Sequence, residues 1–285
     1  MVSEADRAKR PTRTSVWLEG KPAARGRKSE RPERQERPER QERPERSEHS
    51  DQRSDQGADQ PAGLDRDRII AVSVRLLDAE GPAKFSMRRL AAELGVTAMS
   101  LYWYVDTKDD LLELALDSVF GEVQVPDLTD ETADWRDQMR ELAASYRSVL
   151  VRHPWVSPLI GKYLNIGPSS MVFSAAVQAV VGRTGLAPHG QMGALAAVFQ
   201  FVYGFGTIEG HFVQRCAEAG LAQDEYYRQA MGTINEQPHF QRLFEGAGEL
   251  MEARGGDTVE EMRERDFTFA LELLIAGIET MRARG

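Results

Sequence analysis

The sequence predicts an all-α protein with two helical domains behind a charged tail. Apolar residues recur at helical spacing in several stretches after residue 63, and glycine or proline closes most of these stretches. A length of 285 residues is too great for one small module and suggests two domains plus a further part. We therefore divide the chain into residues 1–62, 63–125 and 126–285.

Residues 1–62 are predicted to be a disordered, low-complexity tail. They hold fifteen Lys/Arg against thirteen Asp/Glu, a net charge of +2, and repeat the hexapeptide RPERQE at 31–36 and 37–42. The few large apolar residues are Val2, Val16, Trp17 and Leu18. Such a composition cannot bury enough apolar surface to offset chain entropy. We interpret the tail as solvated; the alternative is a loose electrostatic tether to DNA.

Charge and cysteine content narrow the classes of function. Residues 63–125 carry a net charge of −4 and residues 126–285 one of −7, so any nucleic-acid contact needs a small local cationic cluster. The single cysteine, Cys216, excludes an intramolecular disulfide, and no Cys/His cluster suggests zinc. The first 30 residues lack a secretory apolar segment. We predict a cytoplasmic protein with no cofactor and no metal.

Local signals predict four short helices within residues 63–125. The first runs from Asp65 to Glu80 and is closed by Gly81-Pro82. Ser86 is a candidate N-cap for the second, MRRLAAEL, which Gly95 ends. The segment 97–105, TAMSLYWYV, allows only a two-turn third helix, because Thr107-x-x-Asp110 forms a capping box for the fourth. The inner side of the third helix takes Leu101 and either Tyr104 or Val105.

The second and third helices have the spacing of a helix-turn-helix, although an ordinary helical hairpin shares it. The outer face of the third helix favours the first interpretation, since its residues are small, hydroxylated or aromatic: Thr97, Ala98, Met99, Ser100, Tyr102 and Trp103. Small residues permit close approach to a major groove, and hydroxyl or methyl groups contact base edges. The sequence therefore predicts a DNA-binding domain here, linked by the fourth helix to a second helical domain.

Residues 69–116 resemble the DNA-binding domain of the tetracycline repressor (TetR) family, especially in the segment AAELGVTAMSLYWYVDTKDDLLELAL (91–116) and most specifically through LYWYV-x-x-K. The resemblance implies DNA contacts from Arg88, from residues 98–100, and from Tyr102, Tyr104 and Lys108. The free N–H groups that begin the second and fourth helices would hold phosphates. The complete predicted DNA-binding set is Ser86, Arg88, Thr97, Ala98, Met99, Ser100, Tyr102, Trp103, Tyr104 and Lys108.

Residues 126–285 are predicted to form a helical effector-binding and dimerisation domain. A helix from about Glu131 to Val151 ends at His153-Pro154. Apart from Arg183, residues 163–208 hold no Asp, Glu, Lys or Arg, which predicts burial; membrane insertion is the alternative, disfavoured by several polar residues and glycines. Residues 190–212 and a last helix over Thr258–Arg282 predict a four-helix interface in a homodimer.

Residues 132–281 resemble the carboxyl domain of the tetracycline repressor type, most clearly in RHPW (152–155), YGFGTIE (203–209) and RDFTFALELLIAGIE (265–279). The resemblance implies a small-molecule effector pocket. The candidate lining is Trp135, Leu142, Tyr146, Tyr163, Asn165, Phe173, Val177, Phe199, Gln200 and Tyr203. Core packing is the alternative for each of them. Asn165 and Gln200 are polar groups in apolar sequence and need partners that a ligand could supply. This chain departs from the tetracycline repressor at the ligand. Asn165 stands where that repressor has the histidine that coordinates drug-bound magnesium, and Gln124 and Leu142 stand where it has two further polar anchors. We therefore expect an uncharged aromatic or polyketide-like effector.

Together these observations predict a transcriptional repressor that binds a palindromic operator as a homodimer and is released by its effector. One alternative is an architectural DNA-binding protein without an effector. The other is a helical enzyme, disfavoured because no GxSxG, phosphate-binding loop or dinucleotide motif is present. Glu209 and His211 lie two residues apart and cannot share a helix face; we expect them to border the pocket or to pair across the dimer.

Overall fold

The computed structural model describes residues 15–18, 64–237, 239–240 and 255–284. These residues contain helices and no strand, which confirms the predicted all-α class. The helices are α1 (Arg66–Lys84), α2 (Met87–Leu94), α3 (Ala98–Leu101), α4 (Lys108–Phe120), α5 (Trp135–Arg152), α6 (Ser157–Ile160), α7 (Pro168–Gly182), α8 (Pro188–Ala219), α9 (Gln223–Asn235) and α10 (Val259–Arg284). A 3₁₀ turn, Pro154–Val156, precedes α6.

The first helix ends as the sequence predicts. Asp65 caps it, its carboxylate accepting the Arg68 N–H at 2.7 Å. At Gly81 the backbone adopts φ 73° and leaves the helical path, and one further turn begins at Pro82. Only glycine adopts this conformation at little cost. The long α1 is therefore a helix to Glu80 followed by a single separate turn.

The turn between α2 and α3 confirms the predicted local signals, but α3 is shorter than expected. Ser86 Oγ accepts the Arg89 N–H at 3.2 Å, and Gly95 takes the left-handed conformation with φ 70°. After the four residues of α3 the chain continues in tight turns to Tyr104. Val105, 3% exposed, must enter the core there. Of the two alternatives for the inner side, Val105 is buried and Tyr104 only half-buried.

Helix α4 connects the two helical regions. Its predicted capping box is formed: Asp110 N–H donates to Thr107 Oγ1 at 3.0 Å, and Thr107 N–H donates to Asp110 Oδ2 at 3.1 Å. Its side chains are buried nearly all round, because the helix packs against α1 on one side and α7 on another. A movement of α7 therefore has a direct mechanical route to the first three helices.

Helix α5 begins at Trp135, four residues later than the predicted start at Glu131. In the preceding segment Asp127 accepts the Thr129 N–H and Asp130 accepts the Thr132 N–H, each at 2.8 Å. Such local side-chain bonds compete with helix formation. The delayed start follows from them, and Asp134 then caps the helix by accepting the Arg136 N–H.

Among the described residues one helix, the 32-residue α8, has the length and apolar composition that would allow it to cross a membrane. In the structure it packs closely on α5. A Cβ added at Gly210 would lie 2.7 Å from the Leu150 carbonyl oxygen, and one at Gly206 would lie 3.0 Å from the Leu150 side chain. The glycines therefore permit a close helix–helix contact.

An apolar face remains exposed on α8 and α10, the helices predicted to form the dimer interface. Its large side chains are 59% to 72% exposed: Met192, Ile208, Phe269, Leu273 and Met281. The opposite side of α10 is buried through Phe267, Leu271, Ile275 and Ile278. A groove of about 800 Å³ lies between the start of α8 and the end of α10. An exposed apolar surface on these two helices is consistent with their predicted contact with a second copy of the chain.

The prediction of a wholly solvated tail is wrong for Ser15–Leu18. Ser15 and Val16 are 2% and 5% exposed and pack on α4. Val16, which is buried, and Trp17, which is half-buried, supply the buried surface that the rest of the tail lacks, whereas Leu18 is exposed. The other predicted tail residues, including the hexapeptide repeats, lie outside the described residues.

Candidate DNA interface and effector site

The outer face of α2 and α3 is open to solvent, as the helix-turn-helix interpretation requires. Met99 on α3 is 72% exposed, and in the turn that follows α3 Trp103 is 72% and Tyr102 42% exposed. Leu101, on the inner side of the same short helix, is 0% exposed. Large apolar side chains projecting from so well anchored an element indicate a contact surface. Their contact with DNA stays a prediction.

The predicted hydroxyl-bearing residues already serve as helix caps. Thr97 Oγ1 accepts the Ser100 N–H at 3.2 Å and lies 2.9 Å from Ser100 Oγ. Ser86 caps α2 in the same way. Each hydroxyl keeps further hydrogen-bonding capacity, and Ser86 and Thr97 are exposed. They remain candidates for phosphate contacts at the two helix ends.

Tyr104 and Lys108 have partners within the protein and do not simply face outward. The Tyr104 hydroxyl donates to the Leu64 carbonyl at 2.7 Å. Lys108 Nζ donates to the Phe85 carbonyl at 2.6 Å and lies 5.6 Å from the centre of the Phe85 ring. Carbonyls at chain bends lack helical partners, which explains these bonds. Both side chains therefore stabilise the helix-turn-helix domain, residues 63–125, which we call the DNA reader. Any contact they make with DNA would be additional to this role.

The two arginines of α2 differ in their surroundings. Arg88 is exposed. Arg89, which the sequence prediction did not include, lies 2.8 Å from Glu80 on α1 and 2.8 Å from Glu93 on α2. Arg89 therefore holds α2 against α1, and Arg88 is the cation of this pair that is placed to reach a nucleic acid.

Three of the predicted effector residues form one aromatic cluster. The ring centres of Tyr146 and Phe173 lie 5.0 Å apart, those of Phe173 and Phe199 5.8 Å, and those of Tyr146 and Phe199 6.3 Å. Phe120, at the end of α4, joins them at 5.8 Å from Phe173 and was missing from the prediction. These spacings are those of rings in contact, so the rings fill the space between them.

The other predicted pocket residues are dispersed. Leu142 and Val177 are buried in the core. The Tyr203 hydroxyl donates to the Ser157 carbonyl at 2.9 Å. Trp135 is buried, its Nε1 without a hydrogen-bond partner, and borders a shallow groove with Arg183. Gln200 is exposed on the outer side of α8, so the apolar surroundings expected for its side chain are not found in the single chain. In the part of the chain that the structure describes, the ten predicted residues do not line one common cavity.

Tyr163 and Asn165 do meet, at a small polar cavity beside α4. Asn165 adopts a left-handed backbone, φ 49°; its Nδ2 donates to the Ile160 carbonyl at 2.7 Å, while its buried Oδ1 has no partner. Ser170 Oγ borders the same cavity and also has none. Two buried acceptors beside one cavity are places where a ligand hydroxyl or a water molecule would bond.

The Tyr163 hydroxyl links this cavity to the start of α4. It donates to Asp109 Oδ1 at 2.8 Å, and Lys162 Nζ lies 3.0 Å from the same oxygen. Burial raises the pKa of the Tyr163 hydroxyl to about 12. The Lys162 and Tyr163 hydrogen bonds hold the pKa of Asp109 below its usual value. Tyr163 therefore stays neutral and Asp109 stays ionised near neutral pH.

The sequence prediction did not include two buried carboxylates of α4, Glu113 and Asp117, among the functional residues. Asp117 accepts the Ser170 N–H at 2.8 Å and the Ser169 N–H at 3.3 Å, and so caps the first turn of α7. Glu113, one turn earlier, bonds the Ser15–Leu18 segment. Acidic residues inside an otherwise apolar helix were the sequence signal available, since buried carboxylates need partners.

Glu209 is paired with an arginine of its own chain. Arg147 Nε and Nη2 donate to its two oxygens at 2.6 and 3.0 Å, and Arg147 Nη1 donates to Glu264 at 2.6 Å. This network joins α5, α8 and α10, whereas His211 is exposed. Within the described ranges no group of three or more His, Cys, Asp or Glu is placed to hold a metal ion.

Comparison with known proteins identifies the family. Residues 69–115 match the model of bacterial regulatory proteins of the tetR family, and residues 126–282 match the tetracyclin repressor-like C-terminal domain. The HTH-type transcriptional repressor DrrR1 of Streptomyces coeruleorubidus is 30% identical over 222 residues, 78% of this chain and 79% of its own. The chain belongs to the TetR family of bacterial transcriptional regulators.

Further relatives agree with this assignment. An HTH-type transcriptional regulator of Saccharopolyspora erythraea is 41% identical over 146 residues, which span 51% of this chain and 61% of that relative. The structure of apo ActR from Streptomyces coelicolor is 26% identical in sequence and matches with a TM-score of 0.61. The match covers 78% of this chain and 98% of ActR. ActR in complex with actinorhodin is 28% identical with a TM-score of 0.58, over 76% of this chain and 97% of ActR.

Proposed function

We propose that this chain is a homodimeric repressor that binds a palindromic operator through α2 and α3 and is released by a small, largely aromatic effector. The observation that carries the DNA-binding part is the outer surface of α3 and of the turn that follows it, where Met99 and Trp103 are each 72% exposed and Arg88 on α2 is exposed as well. Residues of this type reach base edges when a recognition helix enters a major groove. No catalytic role is proposed, and we place the protein in the cytoplasm with its DNA.

The homodimer is supported by the apolar face of α8 and α10. The two helices of one chain and two of a second would form a four-helix interface. Dimerisation also answers an electrostatic requirement, because residues 63–125 carry a net charge of −4. Two copies of a small contact surface double the number of placed groups on an inverted repeat. We keep 63–125 and 126–285 as the proposed limits of the two domains.

The effector site is proposed at the aromatic cluster of Phe120, Tyr146, Phe173 and Phe199 and at the polar cavity of Asn165, whose lining residues Asp117 and Ser170 lie about one helical turn before Phe120 and Phe173 on α4 and α7. Because the rings fill their space, an effector has to separate them, and separating Phe120 from Phe173 displaces α4 relative to α7. ActR, a protein of the same family, has been crystallised with actinorhodin. An uncharged, largely aromatic or polyketide-like compound is the proposed effector class.

A footprint on the DNA upstream of the protein's own coding region tests the proposal. We expect protection of an inverted repeat whose half-sites lie about 10 base pairs, or a multiple of that, apart. Trp103→Ala should abolish the protection, while Val172→Ala, a change at a similarly exposed apolar residue of α7, should keep it. Protection without any inverted repeat would exclude the dimeric reader. An operator complex unaffected by every aromatic compound, actinorhodin included, would favour an architectural role.

A further inference from the structure

The N-terminal segment, defined as Ser15–Leu18, is bound to α4 through one carboxylate. Glu113 Oε2 accepts the Ser15 hydroxyl at 2.7 Å and the Val16 N–H at 3.1 Å. The segment is folded into a turn, in which Leu18 N–H donates to the Ser15 carbonyl at 3.2 Å and Trp17 N–H to Ser15 Oγ at 3.2 Å. The buried carboxylate is thus matched by two donors of the segment, the Ser15 hydroxyl and the Val16 backbone N–H.

Burial on both sides shows that this contact is a fitted one. Glu113 is 7% exposed, Ser15 2% and Val16 5%. A carboxylate inside an apolar helix is costly unless it is hydrogen-bonded, and the two hydrogen bonds described for Glu113 both come from the N-terminal segment. The pair is 98 residues apart in the chain. The surface of α4 around Glu113 therefore has the properties of a peptide-binding site.

The bound segment lies at the polar end of the proposed effector site. Trp17 lines the small cavity together with Asn165 and Ser170, whose Oδ1 and Oγ atoms are buried without partners. Asp117, one turn along α4 from Glu113, lines it too and caps α7. The segment, α4 and the first turn of α7 therefore meet around this one cavity.

We propose that α4 carries a binding site centred on Glu113 whose ligand is the chain's own N-terminal segment, and that Trp17 closes the polar cavity against an effector. This inference rests on the proposed function for its second part. An effector that bonds Asn165 and Ser170 has to displace Trp17. The segment is then an intramolecular competitor, which lowers the apparent effector affinity by the fraction of molecules in which it is released.

The direct test is amide hydrogen exchange on the full-length protein without any ligand. The Val16 and Trp17 amides are expected to be protected in the wild type. Glu113→Gln, which keeps the shape of the side chain and removes its charge, should lose that protection while the amides of α5 keep theirs. Unprotected Val16 and Trp17 amides in the wild type, or protection that Glu113→Gln leaves intact, would overturn the peptide site.

The second measurement is calorimetric titration with actinorhodin as the probe. If the segment is docked in about nine molecules of ten, Trp17→Ala should tighten binding about tenfold. Leu18→Ala is the matched control, because Leu18 belongs to the same segment but is 62% exposed, and its affinity should equal that of the wild type. Unchanged or weaker binding by Trp17→Ala would refute competition.

The two proposals fail in different ways. If the probe binds none of the variants and the Val16 amide is still protected, the proposed effector function fails and the peptide site on α4 stands. If the probe binds all variants equally, the effector function stands and competition by Trp17 fails. Operator protection in the footprint is expected to be the same for Trp17→Ala and wild type, because the segment lies away from α3.

Discussion

His153 Nδ1 lies 2.6 Å from Asp78 Oδ1, so the end of α5 is joined directly to α1 of the DNA reader. The other ring nitrogen, Nε2, lies 3.2 Å from Glu122 at the end of α4. Trp155 Nε1 donates to the same Asp78 oxygen at 2.6 Å, and Arg152 bonds Glu122 at 2.7 Å. Three helices thus converge on one buried imidazole.

This convergence predicts a pH-dependent stability. Burial lowers the pKa of His153, but the bonds and charges of Asp78 and Glu122 outweigh it, and the pKa is raised above its ordinary value. The stabilisation is complete below about pH 6.5, the pKa of the unfolded side chain, and is lost as the pH rises through the higher folded value. Melting temperatures from pH 5.5 to 9 should therefore fall further for the wild type than for His153→Gln. His189→Gln, a change at an exposed histidine, should follow the wild type. Parallel curves for wild type and His153→Gln would contradict the argument.

Arg147 is predicted to contribute far more to stability than Arg140. Arg147 is 8% exposed and holds Glu209, which is equally buried. Arg147→Ala leaves that carboxylate buried and unpaired, which we expect to cost about 3–5 kcal/mol of unfolding free energy. Arg140 pairs with Glu272 near the surface, and its alanine variant should cost about 0–1 kcal/mol. Urea denaturation of both variants measures the difference, and equal losses would contradict it.

Arg88 is exposed and is a candidate to bind either a guanine base or a phosphate. If it reads a base, Arg88→Ala should relax the base preference at one operator position by about 1–3 kcal/mol while leaving the preferences at the other positions unchanged. Competition binding against a set of single-base operator variants measures this. A uniform loss over all sequences would make Arg88 a phosphate contact. Arg89→Ala is the matched control: because Arg89 is paired with Glu80 and Glu93, its loss should lower stability and not alter base preference.

Replacing Gly167 is predicted to destabilise the protein, because Asp117 lies directly against it. A Cβ at Gly167 would lie 2.3 Å from the Asp117 carboxylate carbon, so Gly167→Ala must displace the group that caps α7. Such overpacking costs about 1–3 kcal/mol. Its backbone, φ −68°, is one that alanine adopts freely, so the loss would come from the contact. Gly161→Ala, with nothing within 4 Å of the new Cβ, should leave the melting temperature nearly unchanged. Equal melting temperatures would remove the importance assigned to Asp117.

The reader could be predicted closely because its signals are local. The caps at Ser86 and Thr107 and the left-handed Gly95 act within four residues, and each has the role expected from the sequence. The start of α5 was missed for the same kind of reason: the Asp127 and Asp130 turns are also local, but they compete with the helix signal.

The effector site could be predicted only in part. Tyr146, Phe173 and Phe199 were found by residue type, because aromatic side chains cluster in cores and pockets alike. Whether they enclose a space or fill it depends on packing between helices distant in sequence. The partners of Glu113 and Asp117 lie 98 and 53 residues away. Helical periodicity carries no information at that range.

The thirteen residues of α4 form a rigid rod about 20 Å long, at 1.5 Å per residue. Phe120 at one end belongs to the aromatic cluster, and Lys108 at the other grips the carbonyl that precedes α2. Pivoting such a rod by about 5° moves its far end by roughly 2 Å, which exceeds the tolerance of a hydrogen bond to a base edge. The recognition element can therefore lose its register on DNA through a tilt too small to disturb the core.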